Sequence, residues 1–223
     1  MNSLKLGNIR SLTKIFLNQN FKKILFSVNN SLKMSTNIVE KGRMLTSNIV
    51  WMDLEMTGLD VHKDRILEVS CLITDKDLNI VAENSTLVIN QPEEVLNSMN
   101  DWCIKHHGES GLTEESRKSK ISTEQAEDIL LEFLKNHIPE KSCPLAGNSI
   151  YMDRMFLNSY MPRLNEYLHY RIIDVSSIKE LCRRWNQPVF SKQPKKLLAH
   201  RSLDDIKDTI TELKYYKENL FKI

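Results

Sequence analysis

Residues Asn48-Ile49-Val50-Trp51-Met52 form an apolar run with β-branched members, and the run ends in two carboxylates at alternate positions, Asp53 and Glu55. Side chains two apart on a strand share a face, so the pattern predicts a buried strand whose tip projects both acids to one side. Two like charges there lose hydration and repel one another unless a cation or strong donors sit between them. A chain that buries this strand must therefore bring compensating chemistry to its end. By itself, a D-x-E after an apolar run reads more often as a solvated acidic turn.

Two later segments supply further acids. Pro144-Leu145-Ala146-Gly147-Asn148 reads as a short strand and turn, followed by a helix from about Ser149 with Met152, Met155, Phe156 and Tyr160 on its apolar face. Asp153 sits one turn into that helix, where an acid also simply complements the helix dipole. Near the C-terminus, Ser202 is placed to cap a helix running through Ile206, Ile210, Leu213 and Tyr216. That leaves His200 on the entering loop and Asp205 in the first turn. A loop histidine can swing between a water and solvent, as a general base must, while Asp205 stays fixed. The simpler alternative is an acid pair, Asp204 and Asp205, at a helix start beside a surface histidine. Hard divalent ions such as Mg²⁺ and Mn²⁺ prefer carboxylate oxygen, and one or two carboxylates plus a substrate phosphate commonly hold them.

Strands are predicted at 48–55, 65–75 and 80–89, with Lys76-Asp77-Leu78-Asn79 as a tight turn, and short strands near 144–148 and 171–175. Helices are predicted near 93–108, 122–137, 149–160, 176–186 and 203–219. Ser122 and Gln125 have the spacing of a capping box, and Ala126, Ile129, Leu130, Phe133 and Leu134 make the stripe expected to be buried. Three antiparallel strands followed by alternating helix and strand predict an α/β, ribonuclease-H-like sheet.

The 223 residues suit one compact domain, expected over 46–223, plus an extra segment at 1–45. No apolar run approaches the roughly 18 residues that cross a bilayer, so no membrane partner is expected. Cys71, Cys103, Cys143 and Cys182 are far apart and form no CxxC, which predicts free or buried thiols. From Met1 to Val39 there are six basic residues (Lys5, Arg10, Lys14, Lys22, Lys23, Lys33) and no acid, among many Ser and Asn. That composition matches a mitochondrial presequence; a basic arm that helps hold RNA is the alternative. Met34 offers an internal start for an untargeted cytoplasmic or nuclear form. Taking the six positive charges from the formal net charge of +2 leaves −4 for the body, which does not suit a long nucleic-acid track.

In order and approximate spacing, DLEMTGLD, MNDWCIKHHGESGLT, LAGNSIYMDRMF, YRIIDVSSIKELCRRW, PKK and HRSLDDI resemble the DEDD exonucleases of the histidine-containing branch. Within that superfamily the chain is similar to the oligoribonuclease family from about Ser47 onward. The resemblance implies a ribonuclease-H-like exonuclease fold with a mixed central sheet flanked by helices. It implies that Asp53, Glu55, Asp153 and Asp205 are ligands to two ions, Mg²⁺ or Mn²⁺, per active site, and that His200 is the base. It further implies that Leu59 wedges and Trp102 stacks on terminal bases, and that His107 lies near the scissile region. Ser149, Arg171 and Ser176 would contact the phosphate at the closed end of a short RNA oligonucleotide, and Tyr170 would reach the active site of a homodimer partner. One departure is Ser202, where the family pattern leads us to expect alanine. Read without the family, Leu59 and Trp102 are equally core residues, Tyr170-Arg171 a strand entrance and His106-His107 a solvated helix end.

The implied activity is two-metal-ion 3′-to-5′ cleavage of short RNA to nucleoside 5′-monophosphates. The alternatives are a DEDD enzyme trimming longer RNA or single-stranded DNA, and a non-catalytic RNA-binding scaffold on the same fold. For the N-terminal segment, a reporter fused to residues 1–45 is expected to enter mitochondria; a diffuse cytosolic signal in fractionated cells would dismiss the presequence.

Overall fold

The computed structural model describes residues 46–195 and 201–221; the N-terminal segment 1–45 and His200 lie outside the described residues. Strand β1 (Ile49–Met56) turns Val50, Met52 and Leu54 to one face of the sheet and Trp51, Asp53 and Glu55 to the other. Strand β2 (Ile66–Thr74), buried along its whole length, pairs antiparallel with β1 and sets Ser70 opposite Asp53 and Glu68 opposite Glu55. The turn after β2 forms as predicted: Asp75 accepts from the Asp77 and Asn79 amides, and Leu78 takes a positive φ of 69°.

The predicted strand 80–89 is interrupted. It divides into β3 (Ile80–Glu83) and β4 (Leu87–Val88), which pair with different parts of β2 on either side of the polar Asn84-Ser85-Thr86. β5 (Pro144–Gly147) and β6 (His169–Asp174) add in parallel, giving the order β3-β2-β1-β5-β6 in a six-stranded mixed sheet.

The predicted helix 93–108 is two helices, α1 (Glu93–Asn97) and α2 (Asp101–Glu109), because Asn100 turns extended and its side chain accepts from the Cys103 amide. That is an N-cap, and it starts a new helix. The short helices α3 (Leu112–Lys118), α6 (Pro162–Tyr167) and α8 (Gln187–Phe190) were not predicted. Each is too short for its apolar residues to show a period. In α4 (Thr123–His137) both halves of the Ser122–Gln125 capping box are made. Its stripe differs at one position: Ile129 is exposed, while Glu127 is buried and accepts from the Arg163 and Leu164 amides and the Arg163 guanidinium at the start of α6. Likewise α5 (Tyr151–Tyr160) buries Phe156 and Leu157 but leaves Met155 exposed.

Helices cover both faces of the sheet. Val50 and Met52 pack with Leu130 of α4 and Phe156 of α5. Trp51, Leu72 and Ala146 pack with Val175 and Cys182 of α7 (Val175–Trp185) and with Ile206, Ile210 and Tyr216 of α9 (Ser202–Leu220). Ser202 does not cap α9. Arg201 holds the cap position, and the Ser202 hydroxyl, on the first helical residue, turns inward to Glu68. All four cysteines are buried and free, and no helix among the described residues is long and apolar enough to cross a membrane.

Candidate active site

The alternation of β1 aims Asp53 and Glu55 at the start of α9, where Asp205 stands in the first turn. The three carboxylates each offer an oxygen within 4.8 Å of the others. Asp153 arrives from α5 on the other side: its Oδ1 accepts the Leu54 amide at 2.9 Å, and Leu54 lies between the two strand acids. That single bond locks the fourth acid to the same strand tip. All four line one cavity of about 570 Å³.

The electrostatics are those of acids packed together and partly withdrawn from water. Burial, then Asp205, Glu68 and Asp153, push Glu55 up to about 8 against a weaker opposing pull from Arg201. Burial pushes Asp153 up to about 7, although the Leu54 amide opposes it. These carboxylates keep protons in the folded chain that they would lose in water. Hard oxygen donors so arranged fit a divalent cation, which would take the place of the retained protons.

Leu59 and Trp102 stand on the rim of this cavity, 67% and 54% exposed, so the reading of them as core is overturned. Leu59 rides on a loop tied down by Asp64, which accepts from the Thr57 hydroxyl at 3.1 Å and the Asp60 amide at 2.9 Å. A Cβ on Gly58 would lie 2.3 Å from Asp64 Oδ2, so the loop closes this tightly only with glycine there. Trp102 packs against His106, with ring centroids 4.2 Å apart. His107 is buried rather than a solvated helix end; its Nε2–H donates to the Met56 carbonyl at 2.9 Å, and Nδ1 lies 4.0 Å from Glu55 Oε2.

Ser149 also lines the cavity, at a positive φ of 49° that aims its amide at Asp174 and Ser176, each 3.0 Å away. Ser176 sits behind it, donating to Asn148. Tyr170 and Arg171 lie on β6 and do not line the cavity; the Arg171 guanidinium is 5.3 Å from the centre of the Tyr170 ring. Asn148 and Thr209 were not predicted as site residues. Asn148 donates to the Thr209 hydroxyl, which donates to the Asp205 carbonyl, both at 2.7 Å. Thr209 follows Asp205 by one helical turn, a spacing that could have marked it.

A carboxylate cluster at one end of a mixed sheet covered by helices is the layout of a metal-dependent nuclease. Residues 50–213 match the family described as Exonuclease (RNase_T). The chain is 54% identical over 178 residues to a probable oligoribonuclease of Drosophila melanogaster, covering 80% of this chain and 84% of that one. It is 54% identical over 181 residues to the mitochondrial oligoribonuclease of Homo sapiens (81% and 76%) and 51% identical over 176 residues to the oligoribonuclease of Francisella tularensis subsp. novicida (79% and 97%). Zinc-bound E. coli exonuclease I with single-stranded DNA shares the fold at a TM-score of 0.64 and 14% identity, covering 78% of this chain and 41% of that one. The chain belongs to the exonuclease family and, within it, to the oligoribonucleases.

The raised acids give a signed pH dependence. Between about 4.5 and 8 the folded, metal-free protein holds a proton on Glu55 that the unfolded chain releases, so stability falls as pH rises through that window. In chelator the melting temperature is expected to drop from about pH 5 to about pH 8, and added Mn²⁺ to raise it more at the upper pH. Equal Mn²⁺ shifts at both pH values would separate these acids from cation binding.

Proposed function

We propose that this chain is a metal-dependent 3′-to-5′ exoribonuclease that degrades RNA oligomers of about two to five nucleotides to nucleoside 5′-monophosphates. The observation that carries the reading is the convergence of Asp53, Glu55 and Asp205 within 4.8 Å, in a cavity whose rim presents exposed Leu59 and Trp102. A volume of about 570 Å³ is in the range of sites that enclose a small ligand, in keeping with a substrate of a few nucleotides. The oligoribonuclease relatives support the same substrate class.

Asp53, Glu55, Asp153 and Asp205 would hold two ions, Mg²⁺ or Mn²⁺, which would supply charge neutralisation for the phosphodiester and acidify the attacking water. His200 takes the water's proton, a role worth about 10² to 10⁴ in rate. Leu59 wedges against one base while Trp102 stacks on another. His107, oriented by the Met56 carbonyl, flanks the scissile phosphate beside Glu55. Ser149, on the cavity wall, meets the terminal phosphate, and Ser176 supports it from behind by accepting its amide.

Tyr170 is 74% exposed on β6, an edge of the sheet, and this accessibility supports a homodimer in which each subunit lends Tyr170 and Arg171 to the other's site. Residues 1–45 direct import, in keeping with the mitochondrial oligoribonucleases among the relatives.

Digesting a labelled dinucleotide beside an RNA of about 20 nucleotides tests the substrate class; preference for the longer strand would replace this reading with a trimming enzyme. Asp153→Asn is expected to abolish turnover with the fold intact, and retention of more than about a tenth of wild-type activity would remove it from the ligand set.

For the dimer, Tyr170→Ala is expected to impair turnover at unchanged oligomeric state. Mixing it with Asp153→Asn is expected to restore activity, because subunit exchange rebuilds one complete site. A fully active monomer, or no recovery despite demonstrated exchange, would exclude the shared site.

A further inference from the structure

We propose that Glu68, with Arg201, is a positioning residue for the cation site: it fixes the start of α9 so that Asp205 meets Asp53 and Glu55. The inference rests on the reading of those three carboxylates as cation ligands. Glu68 is completely buried in a strand whose every other residue is also buried, and its carboxylate is fully engaged. Oε1 accepts from the Ser202 amide at 2.9 Å and the Ser202 hydroxyl at 2.7 Å. Oε2 accepts from Arg201 Nε at 3.0 Å, and the Arg201 guanidinium closes an ion pair at 2.9 Å. Arg201 reaches on to Glu115 of α3 at 2.9 and 3.2 Å.

The register gives this cluster its meaning. Glu68 lies opposite Glu55 and Ser70 opposite Asp53, and both touch Ser202, Ser70 Oγ at 2.6 Å from its hydroxyl. The two β2 residues that flank the strand ligands are thus tied to the first residue of the helix that carries the third ligand. The Asp204 and Asp205 amides donate to the Arg201 carbonyl at 3.0 and 3.1 Å, which passes the constraint to Asp205 within one turn. One turn further, the Asn148–Thr209 bond holds the same helix from the β5 side.

Stability alone does not account for Glu68. Burying the Glu68 carboxylate beside a partly exposed Arg201 has a desolvation cost of its own, and apolar replacements of buried ion pairs are often neutral or better. The negative charge of Glu68 beside Glu55 adds repulsion to the acids already gathered there. What the pair supplies is placement, and metal ligation tolerates errors of only about 0.2 Å.

The test is calorimetric titration of Mn²⁺ into the full chain without substrate, together with melting in chelator and dinucleotide KM at saturating Mn²⁺. Glu68→Gln keeps the shape and an acceptor for Ser202 but removes the charge that orients Arg201. It is expected to weaken Mn²⁺ binding about 10- to 100-fold, with dinucleotide KM at saturating metal within about twofold of wild type. Arg201→Lys, a change at a partly exposed side chain that keeps the charge and loses the fork, is expected to move in the same direction by less, and it decides the question if Glu68→Gln does not fold. Mn²⁺ affinity within about twofold of wild type in the folded variants, with only the melting temperature lowered, would make the pair a packing element and overturn the proposal. Wild-type protein that binds no Mn²⁺ would instead overturn the cation reading, and this proposal with it.

Discussion

Four carboxylates crowd the tip of β1, and their mutual repulsion in a half-dry cavity is the constraint on which the rest of the structure depends. At the 4.8 Å that bounds Asp53, Glu55 and Asp205, each pair of full charges would cost about 3 to 4 kcal/mol at an effective dielectric near 20. Arg201 offsets part of this repulsion at Glu55. The fold fixes two of the acids through specific bonds: the Leu54 amide donates to Asp153 directly, and the Asn148–Thr209 bond stands behind Asp205. Geometry is fixed in advance and Glu55 and Asp153 hold on to their protons, so a cation that enters would take the protons' place in a site already shaped for it.

The rim follows the same logic with apolar surface. Leu59 and Trp102 give up burial, and side chains of that size forgo about 1.5 to 3 kcal/mol each by staying in water. Rigid supports make this useful. The Asp64 bonds and the contact that excludes a side chain at Gly58 hold the Leu59 loop closed, so little conformational entropy is lost when a ligand packs on it. Exonuclease I shares the sheet but not the sequence, so the sheet alone does not define what this rim accepts.

Where an element's period is long and its partners are local, the sequence announced it. β1 and β2, the capping box at Ser122 and the inward stripe of α9 were all legible, and so was the shared face of Asp53 and Glu55. Long-range contacts were not. Nothing local says that Glu127 enters the core, since its partner Arg163 lies 36 residues away, or that Ile129 is displaced from it. The cap expected at Ser202 failed for the same reason: its hydroxyl found Glu68, 134 residues distant, which outcompeted the helix amides. Asp153 was readable as a candidate from its motif, but the bond that aims it, from Leu54, spans 99 residues and exists only once β1 and α5 meet.

The charge of the cavity carries one more consequence for assembly. Its described lining contains four acids and no lysine or arginine, yet an RNA end brings further negative charge into it. Bound cations would neutralise the scissile phosphate, while the next phosphate along, which they would not ligate, gains from a hydrogen-bond donor of its own. Arg171 is suited to that task by its planar fork, but it projects from β6 outside the lining, stacked on exposed Tyr170. On the dimer proposal, the surface of a second subunit brings Arg171 and the phosphate together. The proposed twofold contact along the β6 edge would do so symmetrically, closing each cavity with the charge that its own described lining lacks.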